Sequence, residues 1–219
     1  MEIDNRDIIT MKEKYPDFIF FEHEKEYIFT GELDIDHIYN DIRMIGKFNL
    51  KITVFKDHSS PIPVVKEISN RIDIKYPHRY SDGQLCLASD LELKMYFSKN
   101  IDISSFVEMY IIPYLYTYLY YEEYGVYPFG ERSHGIMGDL EYIKELFMVS
   151  EWRQVFDIVY FIAYSSYRGH LLCPCGSGKR IRNCHGNTLM KVMNAGLKNE
   201  CKAILIELKR IYDRKVNFK

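Results

Sequence analysis

The segment from Cys173 to Gly186 constrains the fold of this 219-residue chain more than any other feature. Three thiolate donors and one imidazole can complete the tetrahedral shell that zinc prefers, and the glycines between them let the backbone bend around an ion. The candidate ligands are Cys173, Cys175, Cys184 and His185. Buried free cysteines are the alternative, but they rarely occur with a histidine at this spacing. Because four protein ligands leave no position for water, the sequence predicts a structural zinc site.

The same segment resembles the SEC-C motif in its Cys-x-Cys-x8-Cys-His spacing and in its opening Cys-Pro-Cys-Gly-Ser-Gly-Lys. The resemblance covers only residues 173–186. SEC-C motifs occur on many unrelated proteins, often as surfaces for protein partners, so the motif alone does not define a function. Lys179, Arg180 and Arg182 offer positive charge to nucleic acid or to an acidic protein, although such a surface is usually only solvated.

Charge divides the chain into two parts of opposite sign. Residues 168–219 contain twelve Lys and Arg against three Asp and Glu, whereas residues 1–167 contain seventeen against twenty-eight. The net charges are +9 and −11, within a total of −2. This asymmetry favours a boundary near Arg168, with one domain at residues 1–167 and a zinc module with a C-terminal helix at residues 168–219.

Composition favours a globular protein of a reducing compartment, with 47% hydrophobic and 27% charged residues. Five cysteines, three of them clustered, fit metal ligation better than a disulfide framework. The longest apolar run, residues 106–121, contains tyrosines, a glutamate and a proline, which disfavour a membrane span. The acidic start Met1-Glu2-Ile3-Asp4 differs from a secretory signal. We therefore expect a cytoplasmic protein without a membrane segment.

Hydrophobic periodicity predicts a mixed α+β fold. Apolar residues at helical spacing predict a first helix from Asp4 to Tyr15 and a later one from Ser104 to Glu123, kinked at Pro113. Aromatic and β-branched runs between polar turns predict an antiparallel meander. Its strands are expected at residues 18–21, 27–30, 50–55 and 64–68. Further helices are expected within residues 140–161 and 188–213, after a loop at residues 128–138.

A second informative segment runs from Tyr76 to Leu87 and contains Cys86. Free cysteine is among the most buried residue types, and on that ground alone Cys86, which lies between two leucines, would belong to the core. The turn signal Ser81-Asp82-Gly83 instead favours a loop that presents the residues after it. Cys201 lies on the apolar face of a predicted helix and is expected to be a core residue.

This segment resembles the active-site stretch of ubiquitin-conjugating enzymes, in which His-Pro-Asn is followed at fixed spacing by Gly, an aliphatic residue, Cys and Leu. Pro77, Gly83, Cys86 and Leu87 occupy the matching positions. The order of helix, meander, Pro-x-Pro element, cysteine and later helix also agrees, so the resemblance spans roughly residues 4–125. It implies an α+β fold of the ubiquitin-conjugating type, with an antiparallel sheet backed by helices and with Cys86 as the acyl-carrying nucleophile.

Two positions depart from the family pattern, because Tyr76 replaces its His and His78 replaces its Asn. The Asn amide organises the loop or stabilises the oxyanion, and the N–H of an imidazole can donate the same hydrogen bond. His78 could instead act as a base or only stabilise the loop. Tyr80 stands where some members carry a tyrosine that lines the acceptor-lysine site. Glu131 and His134 are candidates for the border of the site, although local hydrogen bonding is their simpler role.

Residues 127–135 are similar to stretches in bacterial conjugating-enzyme-like proteins of CBASS-like antiphage operons, where the conjugated partner is a cGAS-like nucleotidyltransferase. The resemblance implies that the C-terminus of such a partner, or of a ubiquitin-like protein, passes through a thioester on Cys86 to an amine of a protein lysine. A thioester lets an amine attack with little help from acid or base. Because the chain has no Gly-x-x-x-x-Gly-Lys-Ser/Thr loop and no room for an adenylating domain, the partner must be activated elsewhere or be already reactive.

Two other functions stay open from the sequence. The first is a catalytically inert adaptor, in which the fold and the basic zinc-bearing tail hold proteins or nucleic acid together. The second is a nucleic-acid-binding protein, which draws only on the +9 charge of residues 168–219 and predicts an affinity that falls steeply with salt. Chemistry at Cys86 discriminates both from an acyl carrier.

Overall fold

The computed structural model describes residues 3–57, 62–98 and 102–217. The strands are β1 (Phe18–Glu22), β2 (Glu26–Tyr39), β3 (Ile42–Phe55) and β4 (Val64–Glu67). The α-helices are α1 (Asn5–Lys14), α2 (Asp90–Phe97), α3 (Ile103–Phe106), α4 (Ile112–Tyr124), α5 (Gly135–Leu146), α6 (Trp152–Tyr164), α7 (Gly186–Asn194) and α8 (Lys198–Asn217), with a π-helical segment (Val107–Ile111) and a 3₁₀ helix (Ile181–Asn183). The strands form one antiparallel sheet in the order β1-β2-β3-β4. The predicted α+β class with a meander sheet and flanking helices is therefore confirmed.

The chain forms two compact units that differ from the predicted division at Arg168. The first unit comprises Met1–Ala88 and Asn100–Arg132, and the second comprises Ser89–Lys99 and Ser133–Lys219. Helices α5 and α6, which the sequence analysis grouped with the sheet, thus belong with the cysteine-rich segment. The prediction followed charge, which reports on the surface, whereas the compact units follow the packing of apolar helix faces.

Helix α1 and the first residues of β1 and β2 lie where the sequence predicts a helix and two strands. Helix α1 begins after Asp4, whose side chain accepts the Asp7 N–H at 2.9 Å in a capping box, and it ends ahead of Pro16, as predicted. Strands β2 and β3 continue beyond the predicted residues to a tight turn at Asn40 and Asp41, which have φ angles of 48° and 63°. In the outer part of this hairpin the buried Leu33 and Ile35 alternate with charged residues, and the prediction, which followed aromatic and β-branched runs, did not include it.

The predicted helix at residues 104–123 is confirmed, and its irregularity lies where proline requires one. A π-helical segment, Val107–Ile111, precedes Pro113 at the start of α4. Proline has no backbone N–H to donate and its ring crowds the preceding turn, which disrupts regular α-helical hydrogen bonding. The helix ends at Gly125, whose φ of 70° is the left-handed conformation of a helix C-terminus. Helix α4 packs on β2 and β3, so it is the main helix covering the sheet.

The second unit has its own buried apolar core. Its members come from α2, α5, α6, the cysteine-rich segment, α7 and α8, and include Leu91, Leu140, Val155, Ile158, Ile162, Ile181, Leu189 and Ile204. Helix α2, which periodicity did not indicate, is capped by the Ser89 hydroxyl, and its Leu91 N–H donates to the Asp139 carboxylate of α5 at 2.8 Å. The pattern predicted at residues 188–213 is divided into α7 and α8 near Gly196, which has a φ of 75°.

None of the helices in the described part of the chain is both long and apolar enough to cross a membrane. The apolar run at residues 106–121 instead contributes buried side chains to the first unit, including Phe106, Leu115 and Tyr116. Its tyrosine hydroxyls reach main-chain carbonyl groups of the same unit. Tyr114, Tyr116 and Tyr118 of this run therefore bury their rings and pair their hydroxyls within the first unit.

Candidate active-site loop and candidate metal centre

Four ligand atoms of the second unit come together at one point. Cys173 Sγ and Cys184 Sγ lie 3.3 and 3.4 Å from His185 Nδ1, and Cys175 Sγ lies 3.6 Å from Cys184 Sγ. All four atoms lie within 4.8 Å of one another. Tetrahedral zinc with Zn–S bonds of about 2.3 Å places its sulfur ligands about 3.8 Å apart. The predicted residues therefore form a group that can hold a metal ion at close to tetrahedral spacing.

The backbone of residues 171–186 folds tightly around these side chains. The Cys173 N–H donates to the Lys179 carbonyl at 2.9 Å, which closes a short antiparallel loop. Gly176 and Gly178 lie within this loop with φ angles of 77° and 72°, a conformation that other residues adopt at a cost. The glycines of the motif thus supply the bend that the sequence analysis assigned to them.

The ligand group is part of the core of the second unit. The ring of Phe147 contacts the His185 ring edge-on, with centroids 5.5 Å apart. The Gln154 side-chain amide on α6 donates to the Cys175 carbonyl at 2.8 Å. Because Cys173 and Cys175 are also buried, loss of the group's geometry would disturb the packing around α6 as well as the loop itself.

Burial and hydrogen bonding act in opposite directions on two of the thiols. Burial raises the pKa of Cys173. Burial alone would also raise the pKa of Cys175. Hydrogen bonds from Ser177 and the neighbouring thiols outweigh this effect, so the pKa of Cys175 is lowered. Metals bind the thiolate, so binding would release the proton that the Cys173 thiol holds.

In the first unit, Cys86 lies on the loop that follows β4. The Leu85 N–H donates to the Val65 carbonyl of β4 at 2.8 Å, and Leu85 is buried, so the residue before the cysteine is fixed at the edge of the sheet. Gly83, with a φ of 87°, lies in the turn predicted at residues 81–83. Cys86 itself is half-buried, so its thiol is neither sealed in the core nor fully exposed.

The two other predicted site residues lie beside the Cys86 sulfur. The Tyr80 hydroxyl donates to Cys86 Sγ at 3.6 Å, and a ring nitrogen of His78 lies within 4.8 Å of the same sulfur. Tyr80 is 51% exposed, whereas His78 is half-buried between Tyr76 and Tyr127, with ring centroids 5.7 and 5.4 Å away. The structure therefore brings Cys86, His78 and Tyr80 together, while their chemical roles stay predictions.

A residue that the sequence analysis missed, Tyr114 on α4, fixes the backbone of this site. The His78 carbonyl accepts the Cys86 N–H at 2.8 Å and the Tyr114 hydroxyl at 2.9 Å. Burial, followed by the neighbouring Tyr76, raises the pKa of Tyr114 far above its usual value, so the hydroxyl keeps its proton and can donate. Several tyrosines share this helix, and spacing alone did not indicate which of them reaches the loop.

Buried polar atoms without hydrogen-bond partners are concentrated near the same loop. Among the described residues of the first unit they are the hydroxyls of Tyr76 and Tyr127 and the Nε and Nη1 atoms of Arg79. Unsatisfied buried groups cost stability and are rare in native proteins. The rings of Tyr76 and Tyr127 contact His78, so two of these residues lie directly beside it.

The remaining candidates separate into the two units. Glu131 is exposed in the first unit, and His134 is an exposed residue directly before α5 in the second unit. That they border the Cys86 site stays a prediction. Cys201 is fully buried on α8, which confirms it as a core residue, and burial raises its pKa to about 12.

Comparisons with models of protein families, with curated proteins and with solved structures found no match. The fold and the sites define an α+β protein with a loop cysteine in one unit and a Cys3His group in the other.

Proposed function

We propose that this chain is a ubiquitin-conjugating-enzyme-like acyltransferase that carries the C-terminus of a partner protein on Cys86. The observation that carries the proposal is the half-buried Cys86 thiol with the Tyr80 hydroxyl at 3.6 Å and a His78 nitrogen within 4.8 Å. The element order agrees with the family resemblance, since a helix, a four-stranded meander, the cysteine loop and a long helix follow one another in the first unit.

The reaction consists of two acyl transfers. The Cys86 thiolate attacks the carbonyl carbon of the activated C-terminus, a C–S bond forms, and the leaving group departs as AMP from an adenylate or as a thiol from a thioester. A lysine amine then attacks the Cys86 thioester, a C–N bond forms, the C–S bond breaks, and the amine proton passes to solvent or a base. His78 donates to the oxyanion of each tetrahedral intermediate.

Tyr80 has two roles in this proposal. Its hydroxyl donates to Cys86 Sγ and so favours the thiolate, the nucleophilic form of the side chain. Its exposed ring also lines the place where an acceptor lysine would approach. The acyl donor is a cGAS-like nucleotidyltransferase or a ubiquitin-like protein, in antiphage defence of the CBASS type, and activation is supplied by another protein or by the partner itself.

The Cys3His group would hold one structural zinc ion as part of a SEC-C module. Its donors are three thiols and one imidazole at close to tetrahedral spacing, which is the set that zinc prefers. Zinc would cross-link the loop at residues 173–185. The residues themselves contribute the surrounding packing, through Phe147 against His185 and Gln154 at the Cys175 carbonyl.

The proposal is tested with the Cys86→Ser variant, co-expressed with the products of neighbouring genes. A serine at this position should trap the acyl group as an oxyester that resists thiol reductants and is cleaved by mild hydroxide, whereas the wild-type adduct should be lost with reductant. Cys201→Ser is the matched control because it removes a buried thiol of the second unit. Peptide mapping should place the adduct on residue 86.

Conjugation that continues undiminished in Cys86→Ala would exclude the acyl-carrier function. Stable binding of a partner without any adduct would favour the inert adaptor instead. Lys179, Arg180 and Arg182 are all exposed, so such an adaptor would have a basic surface available. Its affinity for an acidic partner or for nucleic acid should then fall as salt rises.

A further inference from the structure

Three tyrosines of α4 each donate a hydrogen bond to a main-chain carbonyl outside the helix. The Tyr114 hydroxyl donates to the His78 carbonyl at 2.9 Å, the Tyr116 hydroxyl to the Ile42 carbonyl at 3.0 Å, and the Tyr118 hydroxyl to the Arg71 carbonyl at 3.0 Å. All three tyrosines are at most 7% exposed. Helix α4 therefore ties down the tip of the β2–β3 hairpin and two points of the segment after β4.

Of these contacts, the one from Tyr114 lies at the centre of the Cys86 loop. The carbonyl that it binds also accepts the Cys86 N–H at 2.8 Å, so one oxygen links the backbone of His78, the backbone of Cys86 and α4. His78 and Cys86 place their side chains within 4.8 Å of each other from this shared point. A shift of the carbonyl would move both side chains.

We infer that Tyr114 is a positioning residue that holds the His78 imidazole at the Cys86 sulfur. The inference rests on the proposed function for its role in acyl transfer, but the geometry that it sets belongs to the loop itself. Because the buried hydroxyl keeps its proton, it acts as a fixed donor rather than as an acid or base. Misplacement of reacting groups by about 1 Å can slow a reaction by about 100-fold, so a lost anchor at this point has a large kinetic effect.

The chain supplies a matched control for this inference. Tyr114→Phe removes one buried hydroxyl from α4 while it keeps the ring, and it leaves the His78 carbonyl with the Cys86 N–H as a partner. Tyr116→Phe removes the hydroxyl of another buried tyrosine of the same helix, whose partners are the Tyr39 and Ile42 carbonyls at the hairpin tip. Both variants should unfold at similar denaturant concentrations, so a difference in rate reports on the loop.

The first readout is alkylation of Cys86 by iodoacetamide, followed by mass spectrometry of the peptide that contains residue 86. Tyr114→Phe should change the rate by about tenfold relative to wild type. Tyr116→Phe should stay within about twofold. In the double variant Tyr114→Phe/His78→Ala, the effect should be no larger than that of the stronger single variant, because both changes remove the same His78 contribution.

The second readout is adduct formation with the partner protein at saturating concentration, where Tyr114→Phe should lower the maximal rate and leave the half-saturating concentration unchanged. If no partner forms an adduct in wild type, the proposed function fails, while the alkylation pattern still decides the role of Tyr114. Equal alkylation rates for Tyr114→Phe and Tyr116→Phe, or effects of Tyr114→Phe and His78→Ala that multiply, would overturn the inference.

Discussion

The Cys3His group and the Cys86 loop are assembled in different ways. The four ligands of the group come from one short segment, residues 173–185, which supplies all of the donor atoms. The Cys86 loop is instead held by a strand and a helix, through Leu85 on Val65 and Tyr114 on the His78 carbonyl, 36 residues away. We propose that the first arrangement needs a bound metal to keep its shape, whereas the second is held by the scaffold and presents a half-buried cysteine.

Among the changes considered, removal of a metal ligand should lower stability the most. Cys184→Ala should abolish metal binding and unfold residues 171–186, because structural zinc contributes about 10 kcal/mol to small modules of this kind. Hydrogen exchange should show loss of protection in this segment, while peptides of the sheet keep theirs. Cys201→Ala is the control and should retain one metal ion per chain by elemental analysis. Full protection of residues 171–186 in metal-free protein would show that the two regions do not differ in this respect.

His78→Ala should act on rate and leave the fold intact. Loss of one donor to an oxyanion costs about 100- to 1,000-fold in rate, and His78 packs between two tyrosine rings that remain in place. The measurement is single-turnover adduct formation at saturating partner, with denaturant unfolding beside it. His23→Ala serves as the control in the same unit. A rate equal to wild type would remove His78 from the mechanism.

Glycine substitutions compare backbone strain in the two regions. Gly83 and Gly178 have φ angles of 87° and 72°, and neither has an atom closer than 3.4 Å to an added Cβ, so alanine meets strain without a clash. Each change should lower the free energy of unfolding by about 1–2 kcal/mol. Gly178→Ala should also weaken metal retention, whereas Gly83→Ala should not. Equal metal affinities in both variants would contradict the view that metal binding depends on the backbone bend at residue 178.

The smallest loss of stability is expected when the exposed ion pair beside the Cys86 loop is removed. Lys66 Nζ lies 2.9 Å from the Asp82 carboxylate, and this hydrogen bond is the main reason why the pKa of Asp82 is lowered from 3.8. Stability from this pair is present above that pKa and is lost as the pH falls below it. Lys66→Met should raise the Asp82 pKa in an NMR titration and cost under about 1 kcal/mol at neutral pH, because both side chains are solvated. A larger loss would mean that the turn depends on this contact.

Sequence reasoning worked best where a feature is local. The Cys3His ligands lie in one segment, so their meeting could be predicted, and helix α1 could be read from its cap and from Pro16. Helix α2 could not, because Leu91, Leu93, Met95 and Phe97 alternate with polar residues as in a strand, and all four are buried. Its helical form depends on the Ser89 cap and on packing in the second unit.

Contacts between distant residues were not accessible in the same way. The role of Tyr114 depends on where α4 crosses the loop, and nothing in the spacing of six tyrosines between residues 110 and 121 distinguishes it. The compact units differ from the division predicted at Arg168 because α5 and α6 bury apolar faces with residues far along the chain. Charge, on which the boundary rested, does not record that packing.

The most direct test of the contrast between the regions is the order in which the five cysteines of the native, metal-loaded protein react with an alkylating reagent. Cys86 should be modified first, because its thiol is half-exposed with a hydroxyl donor beside it. Cys173, Cys175 and Cys184 should react only after a chelator is added, and Cys201 only on unfolding. Mass spectrometry of each peptide gives the order. Cys86 reacting as slowly as Cys201, or the ligand cysteines as quickly as Cys86 before chelation, would contradict the account.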